Sequence, residues 1–188
     1  MSEDPPVDDP RPEHLRVAPS VVIVNTGNGK GKSTAAFGVV MRAVARGWGV
    51  AVVQFIKSGK WNVGEEATAK QLGVDWWTIG EGFSWDSTDL TEDEAVARAA
   101  WQHAADVIGA GEHRLVVLDE VTYPLNWGWI ALDDVVATIG ERPEDVNVII
   151  TGRDAPTALV DLADTVTEMR NVKHAYDRGI RAKKGIDY

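Results

Sequence analysis

The clearest chemistry in the chain lies in eight consecutive residues, Thr26-Gly27-Asn28-Gly29-Lys30-Gly31-Lys32-Ser33. Glycines let a backbone curl until several N–H groups face one anion. Lys32 adds a full positive charge, and the Ser33 hydroxyl can ligate a magnesium ion. The ligand that suits such a run is the polyphosphate of a nucleotide. The pattern G-x-x-x-x-G-K-[ST] of a phosphate-binding loop calls for glycine at position 26, where this chain has Thr26, while Gly31-Lys32-Ser33 matches it in full. A glycine-rich turn with no ligand would have no need of a lysine–hydroxyl pair where a helix begins.

The flanking residues predict how that loop is held. Val21-Val22-Ile23-Val24 reads as a strand entering it, and Thr34 to Ala45 as a helix leaving it, so the helix N-terminus adds its partial positive charge at the anion. Further strands are expected at Gly49–Phe55, Val74–Ile79, Leu115–Leu118, Asn147–Thr151 and Ala163–Met169. A glycine-bearing loop through Ser58 to Gly64 follows the second. Between the third and fourth, a long helix is expected from about Thr91 to Ile108. Thr91 with Glu94 forms a capping box, and Ala95, Ala99, Trp101, Ala105 and Ile108 form a loose apolar stripe. Another helix is expected over Leu132–Ile139. Continuous apolar strands alternating with helices imply an α/β fold, a mostly parallel six-stranded sheet covered on both faces.

A second acid-bearing site follows from the fourth strand, which ends in Asp119-Glu120. Carboxylates at a strand end are common on surfaces. In the right chain order after a phosphate loop they become candidates to hold magnesium directly or through water, and the residues leave open which of the two touches the metal. Arg153, just past the fifth strand, lies at the edge where such sheets bind ligands and could contact phosphate. Gly80-Glu81-Gly82-Phe83-Ser84-Trp85 is a loosened loop with two large aromatics, for which packing onto the core is the ordinary role. Lys173-His174 is either a phosphate contact or a solvated pair. The histidines, His14, His103, His113 and His174, are too scattered for a metal cluster, and no G-x-S-x-G nucleophile motif occurs.

The whole chain bounds these readings. It has 188 residues, enough for one domain with a sizeable core, and no cysteine. No apolar stretch approaches the roughly 20 residues that span a bilayer, and the lack of cysteine fits a cytoplasmic location. Residues 1–19 read as a disordered acidic arm and 20–188 as the domain. The net charge of −10 opposes non-specific nucleic-acid binding. It is uneven: residues 170–188 carry a net +4, and the remainder −14. The basic tail is either a solvated end or a segment folded over an anion.

Together these segments resemble one family, the ATP:corrinoid adenosyltransferases. The matching blocks are Thr26–Ser33 with Ala35–Gly38, Val53–Lys57, Gly82–Trp85, and Leu118-Asp119-Glu120 with Tyr123. They continue through Arg142-Pro143, Ile150–Arg153, Ala163-Asp164, Glu168–Arg170, Val172–Ala175 and Gly185–Tyr188. The resemblance covers nearly everything from about residue 20 onward, and Thr26 looks typical of it. It implies a RecA-like fold, usually homodimeric. It implies transfer of the 5′-deoxyadenosyl group of ATP to Co(I) of a corrinoid (cobalamin, cobinamide or cobyrinic acid diamide), with release of tripolyphosphate. Mg2+ or Mn2+ would assist, and a reduced flavodoxin or other flavin would supply the electrons. On this resemblance residues 26–34 and Arg153 bind ATP, Lys32 and Glu120 are catalytic, and Ser33, Asp119 and Glu120 handle the metal. Phe83 and Trp85 lie against the lower corrinoid face and help displace the axial ligand. Two other readings use the same loop: a kinase or NTPase cutting the β–γ bond, and a RecA-like nucleic-acid-binding module. The first has no need of Phe83-Ser84-Trp85 or of the C-terminal blocks, and the charge opposes the second.

Overall fold

The computed structural model describes residues 15–56, 64–79 and 90–187, apart from the side chains of residues 90 and 91. Six strands form one sheet: β1 (Val22–Thr26), β2 (Val50–Gln54), β3 (Asp75–Thr78), β4 (Leu115–Asp119), β5 (Asn147–Thr151) and β6 (Thr165–Glu168). Their order is β3-β2-β4-β5-β1-β6, and every pairing is parallel. The expected α/β architecture is therefore the observed one, and parallel throughout.

The strands alternate between two cores, as a period of two demands. Val22, Val24, Ala51, Val53, Val116, Leu118, Val148 and Ile150 face one cluster, where α3 (Leu90–Ala110), α5 (Leu132–Gly140) and α6 (Thr157–Leu162) pack. Val50, Val52, Leu115, Val117 and Ile149 face the other, with α1 (Lys32–Ala45) and α2 (Gly64–Gln71). Such two-sided burial explains why the strands read as unbroken apolar runs. Right-handed crossovers give the placement of the helices. β1 and β2 step one way across the sheet over the α1–α2 face, while β3, β4 and β5 step back over the other.

Several elements differ from the sequence expectation. α2 occupies Gly64–Gln71, where only a loop ending at Gly64 is expected, because GEEATAKQ is polar and buries Ala69 alone. Helix propensity and the Lys70–Glu66 pair at i,i+4 carry it, with no apolar stripe to announce it. The short helices α4 (Thr122–Asn126) and α6 are likewise unexpected. α3 begins at Leu90, so Thr91 lies inside the first turn and not at a cap. Its buried stripe is Ala97, Ala100, Trp101, Ala104 and Ile108, and Ala95 and Ala99 are exposed. α1 begins at Lys32, two residues before the expected Thr34. β6 is confined to Thr165–Glu168 and exposed along its length, as befits an edge strand.

Candidate functional site

In an all-parallel sheet every strand ends on one edge, and loops that leave for opposite faces open a crevice there. The residues after β1 lead to α1 on one face, and those after β4 and β5 lead to α4, α5 and α6 on the other. The loop Thr26–Ser33, the pair Asp119-Glu120 and Arg153 thus converge on one edge. Backbone strain gathers there too. Among the described residues, the non-glycine residues with positive φ are Ile56 (50°), Glu120 (63°) and Asp154 (51°), following β2, β4 and β5. Left-handed backbone in such residues persists where the surroundings impose it, which is typical of functional sites.

The phosphate loop is braced from outside. The Gly29 N–H donates to the Met169 carbonyl at 2.6 Å, and the Met169 N–H donates to Thr26 O at 2.8 Å. The chain after β6 crosses the loop so closely that a Cβ on Gly29 would lie 2.7 Å from the Met169 carbonyl carbon, and one on Gly27 2.6 Å from its oxygen. These glycines are therefore required by chain packing as well as by any anion. Gly31 sits at φ 112°, immediately before α1, and no side chain caps that helix end, leaving its N–H groups for a ligand. Thr26 has its own role: its hydroxyl accepts from the Ala155 N–H at 3.1 Å, tying β1 to the segment after β5. A glycine there would lose that tie.

Both lysines of the loop have partners within the protein. Lys32 Nζ donates to Gly29 O at 2.7 Å. Partial burial pushes its pKa down and Arg153 adds to the effect, while Glu120, Asp119 and Asp154 oppose it. Lys30 pairs with Asp187 of the tail. The Lys183 backbone N–H and then Lys30 hold the Asp187 carboxyl below its ordinary range. Asn28 and Thr34 are exposed and Ser33 half-buried. Burial raises the Tyr123 pKa; Arg153 opposes the rise, and Glu120 and Asp154 add to it. Tyr123, absent from the candidate site residues, therefore shares the electrostatic neighbourhood of Lys32.

The two acids differ. Asp119 is fully buried and accepts from Gln54 Nε2 at 2.8 Å and from Thr151 Oγ1 at 2.7 Å. Glu120 is partly buried, and its N–H donates to Thr151 Oγ1 at 3.0 Å. Gln54 and Thr151 are missed from sequence alone; the available signal is a polar residue closing each apolar strand. Gly152, at φ 142°, lies against Thr122, where a Cβ would stand 1.9 Å from the hydroxyl oxygen. Asn126 Nδ2 donates to the carbonyls of Arg153 and Asp154 at 3.3 and 3.0 Å, fixing the exposed Arg153 turn.

A cavity of about 530 Å3 opens between α1 and α2, bordered by Thr34, Phe37, Trp76 and Ile186. Thr34 of the phosphate-loop helix lines it, and neither Lys32, Glu120 nor Arg153 does. Phe83 and Trp85 lie outside the described residues. Lys173 and His174 are described: both are in the tail, and His174 Nδ1 accepts from the Tyr176 N–H at 3.1 Å. Among the described residues no group of three or more His, Cys, Asp or Glu side chains could form a metal cage.

Comparisons with known proteins find relatives over most of the chain. The family described as ATP:corrinoid adenosyltransferase BtuR/CobO/CobP matches residues 19–188. The corrinoid adenosyltransferase of Escherichia coli (strain K12) is 46% identical over 168 residues, spanning 89% of this chain and 85% of that protein. The corrinoid adenosyltransferase CobA of Salmonella typhimurium is 45% identical over 168 residues, with the same shares of the two chains. The corrinoid adenosyltransferase of Sinorhizobium sp is 40% identical over 171 residues, covering 89% of this chain and 80% of its own.

Proposed function

The chain belongs to the ATP:corrinoid adenosyltransferase family, and on that premise we propose how its residues divide the reaction. The protein transfers the 5′-deoxyadenosyl group of ATP to the cobalt of a corrinoid. The Co(I) electron pair forms the bond to C5′, and the C5′–O5′ bond breaks with its electrons going to the departing tripolyphosphate. Cobalt passes formally from Co(I) to Co(III). The nucleophile is the substrate itself, so the hard step needs no serine or cysteine, and the protein supplies position and electrostatics.

The observation that carries this reading is the convergence of Lys32, Glu120 and Arg153 at one strand-end edge, in a chain that matches the family over residues 19–188. Gly31, Lys32, Ser33 and Thr34 hold the triphosphate at the open end of α1. Lys32 turns from Gly29 O to the leaving group, whose charge grows as the C5′–O5′ bond breaks. Thr26, Gly27, Asn28 and Gly29 shape the loop around it, Lys30 meets its outer oxygens, and Arg153 approaches from the β5 side. The oxygen donors Ser33 and Glu120 suit Mg2+ or Mn2+, which binds through few carboxylates plus substrate phosphates. Such an ion would neutralise charge on the triphosphate. Phe83 and Trp85 wall the lower corrinoid face with groups that cannot coordinate cobalt, which eases reduction of Co(II) by disfavouring a fifth ligand.

Family resemblance also supports a homodimer, reduction by flavodoxin or another reduced flavin, and a cytoplasmic setting. No helix among the described residues is long and apolar enough to cross a membrane. The test is an anaerobic assay with Co(I) cobalamin and ATP. The expected result is a cobalt–carbon product with one tripolyphosphate per turnover. ADP in place of tripolyphosphate would instead identify a kinase or ATPase.

A further inference from the structure

We infer that Thr151 positions Glu120 directly, through the Glu120 backbone N–H, and that Gln54 and Asp119 act behind it by fixing the Thr151 hydroxyl, making Asp119 the fixed pin of the site and Glu120 its acting acid. The inference rests on the adenosyltransferase reading and extends it to residues with no assigned role. Gln54, Asp119 and Thr151 are the last residues of β2, β4 and β5, three neighbouring strands, and all are at most 1% exposed. A buried carboxylate needs donors, and Asp119 has one on each oxygen, Gln54 Nε2 at 2.8 Å and Thr151 Oγ1 at 2.7 Å.

Donor capacity fixes the direction of the chain. The Thr151 hydroxyl has one proton, which it donates to Asp119 Oδ1. The lone pairs of the same oxygen then receive the Glu120 N–H at 3.0 Å. Glu120 is thus tied by its own backbone at the point where φ turns to 63°. Removing the Thr151 hydroxyl would take away that acceptor and loosen the turn from which the Glu120 carboxylate extends. Asp119, with both oxygens engaged by the sheet, is poorly placed to exchange partners when a ligand arrives.

The experiment reads ATP affinity by tryptophan fluorescence with and without Mg2+, alongside product formation by the wild type. The variants are Thr151→Val, Thr151→Ser, Gln54→Met, Glu120→Gln and the double variant Thr151→Val/Glu120→Gln. Thr151→Val should reduce the Mg2+-dependent gain in affinity about 10–100-fold, the usual effect of losing a group that orients a metal ligand. Its metal-free affinity should stay near wild type, and Thr151→Ser should recover the gain. The double variant should be no worse than Glu120→Gln alone. If Thr151→Val does not fold, Gln54→Met takes its place, since it removes the other donor to Asp119. An unchanged gain in Thr151→Val, or a double variant showing the full product of both single losses, overturns the inference. So does an equal loss with and without Mg2+. Failure of the function reading would look different: a wild type that binds ATP yet forms no cobalt–carbon product.

Discussion

At the residue scale, Lys32 combines a functional role with a structural cost. Its ammonium is partly buried with its pKa pushed down, so the folded protein holds that proton less tightly than the unfolded chain does. Charged Lys32 therefore opposes folding at neutral pH, and the opposition fades as pH rises through the lowered pKa toward the ordinary lysine value. Lys32→Met should melt above wild type at neutral pH without nucleotide, with the difference shrinking in alkaline buffer. Its activity, like that of Lys32→Ala, should fall about 10²–10³-fold for want of a donor to the leaving group. Melting curves across pH and turnover at saturating ATP check both. The corrinoid end has its own test. Trp85→Ala should keep ATP binding and most of its activity with pre-reduced Co(I), but fail with Co(II) and a flavin reductant. Equal losses in the two assays would mean that Trp85 only packs its loop.

At the element scale, the close approaches predict where small changes do large damage. Gly29→Ala would set a methyl 2.7 Å from the Met169 backbone. The loop and the chain crossing it must then separate, with loss of ATP binding measurable by titration. Breaking the i,i+4 pair of α2 should do little: Glu66→Ala removes a surface pair with Lys70, worth about 0.3–0.5 kcal/mol. Legibility in the sequence follows the same physics. β1, β2, β4 and β5 could be read because burial on both faces leaves unbroken Val and Ile runs. α2 could not, since its helix rests on propensity and charge pairing and leaves no period to see. In the site, Gly31-Lys32-Ser33 and Asp119-Glu120 announce themselves by residue type. Gln54, Thr151 and the Thr26–Ala155 tie do not, because a lone polar residue at a strand end gains its meaning only from neighbours far away in sequence.

At the scale of the whole molecule, the sheet is both scaffold and core. Leu118 and Ile150 are fully buried beside the site-bearing strand ends, and Leu118→Ala should cost about 2–5 kcal/mol. Denaturant melts should report that loss, whereas substitutions in the exposed tail should leave the midpoint nearly unchanged. The charge division also has a measurable reach. A tail of net +4 on a remainder of −14 should show weakening tail contacts as salt rises, because Lys30–Asp187 is largely open to solvent. Core packing should not respond.

The place of β1 in the sheet has a consequence in time. β1 lies between β5 and β6, so Val22 pairs with Val148, and Ile23 with Thr165. The phosphate loop is thus translated among the first residues of the domain but is framed by almost the last. A growing chain can align β2, β3 and β4 with one another while β1 still lacks both of its neighbours. Contacts of such long sequence separation form slowly, because the intervening loop must close first. In refolding from denaturant, recovery of nucleotide binding should therefore lag behind recovery of helical signal. Simultaneous recovery would show that β1 finds its slot before the rest of the sheet is built.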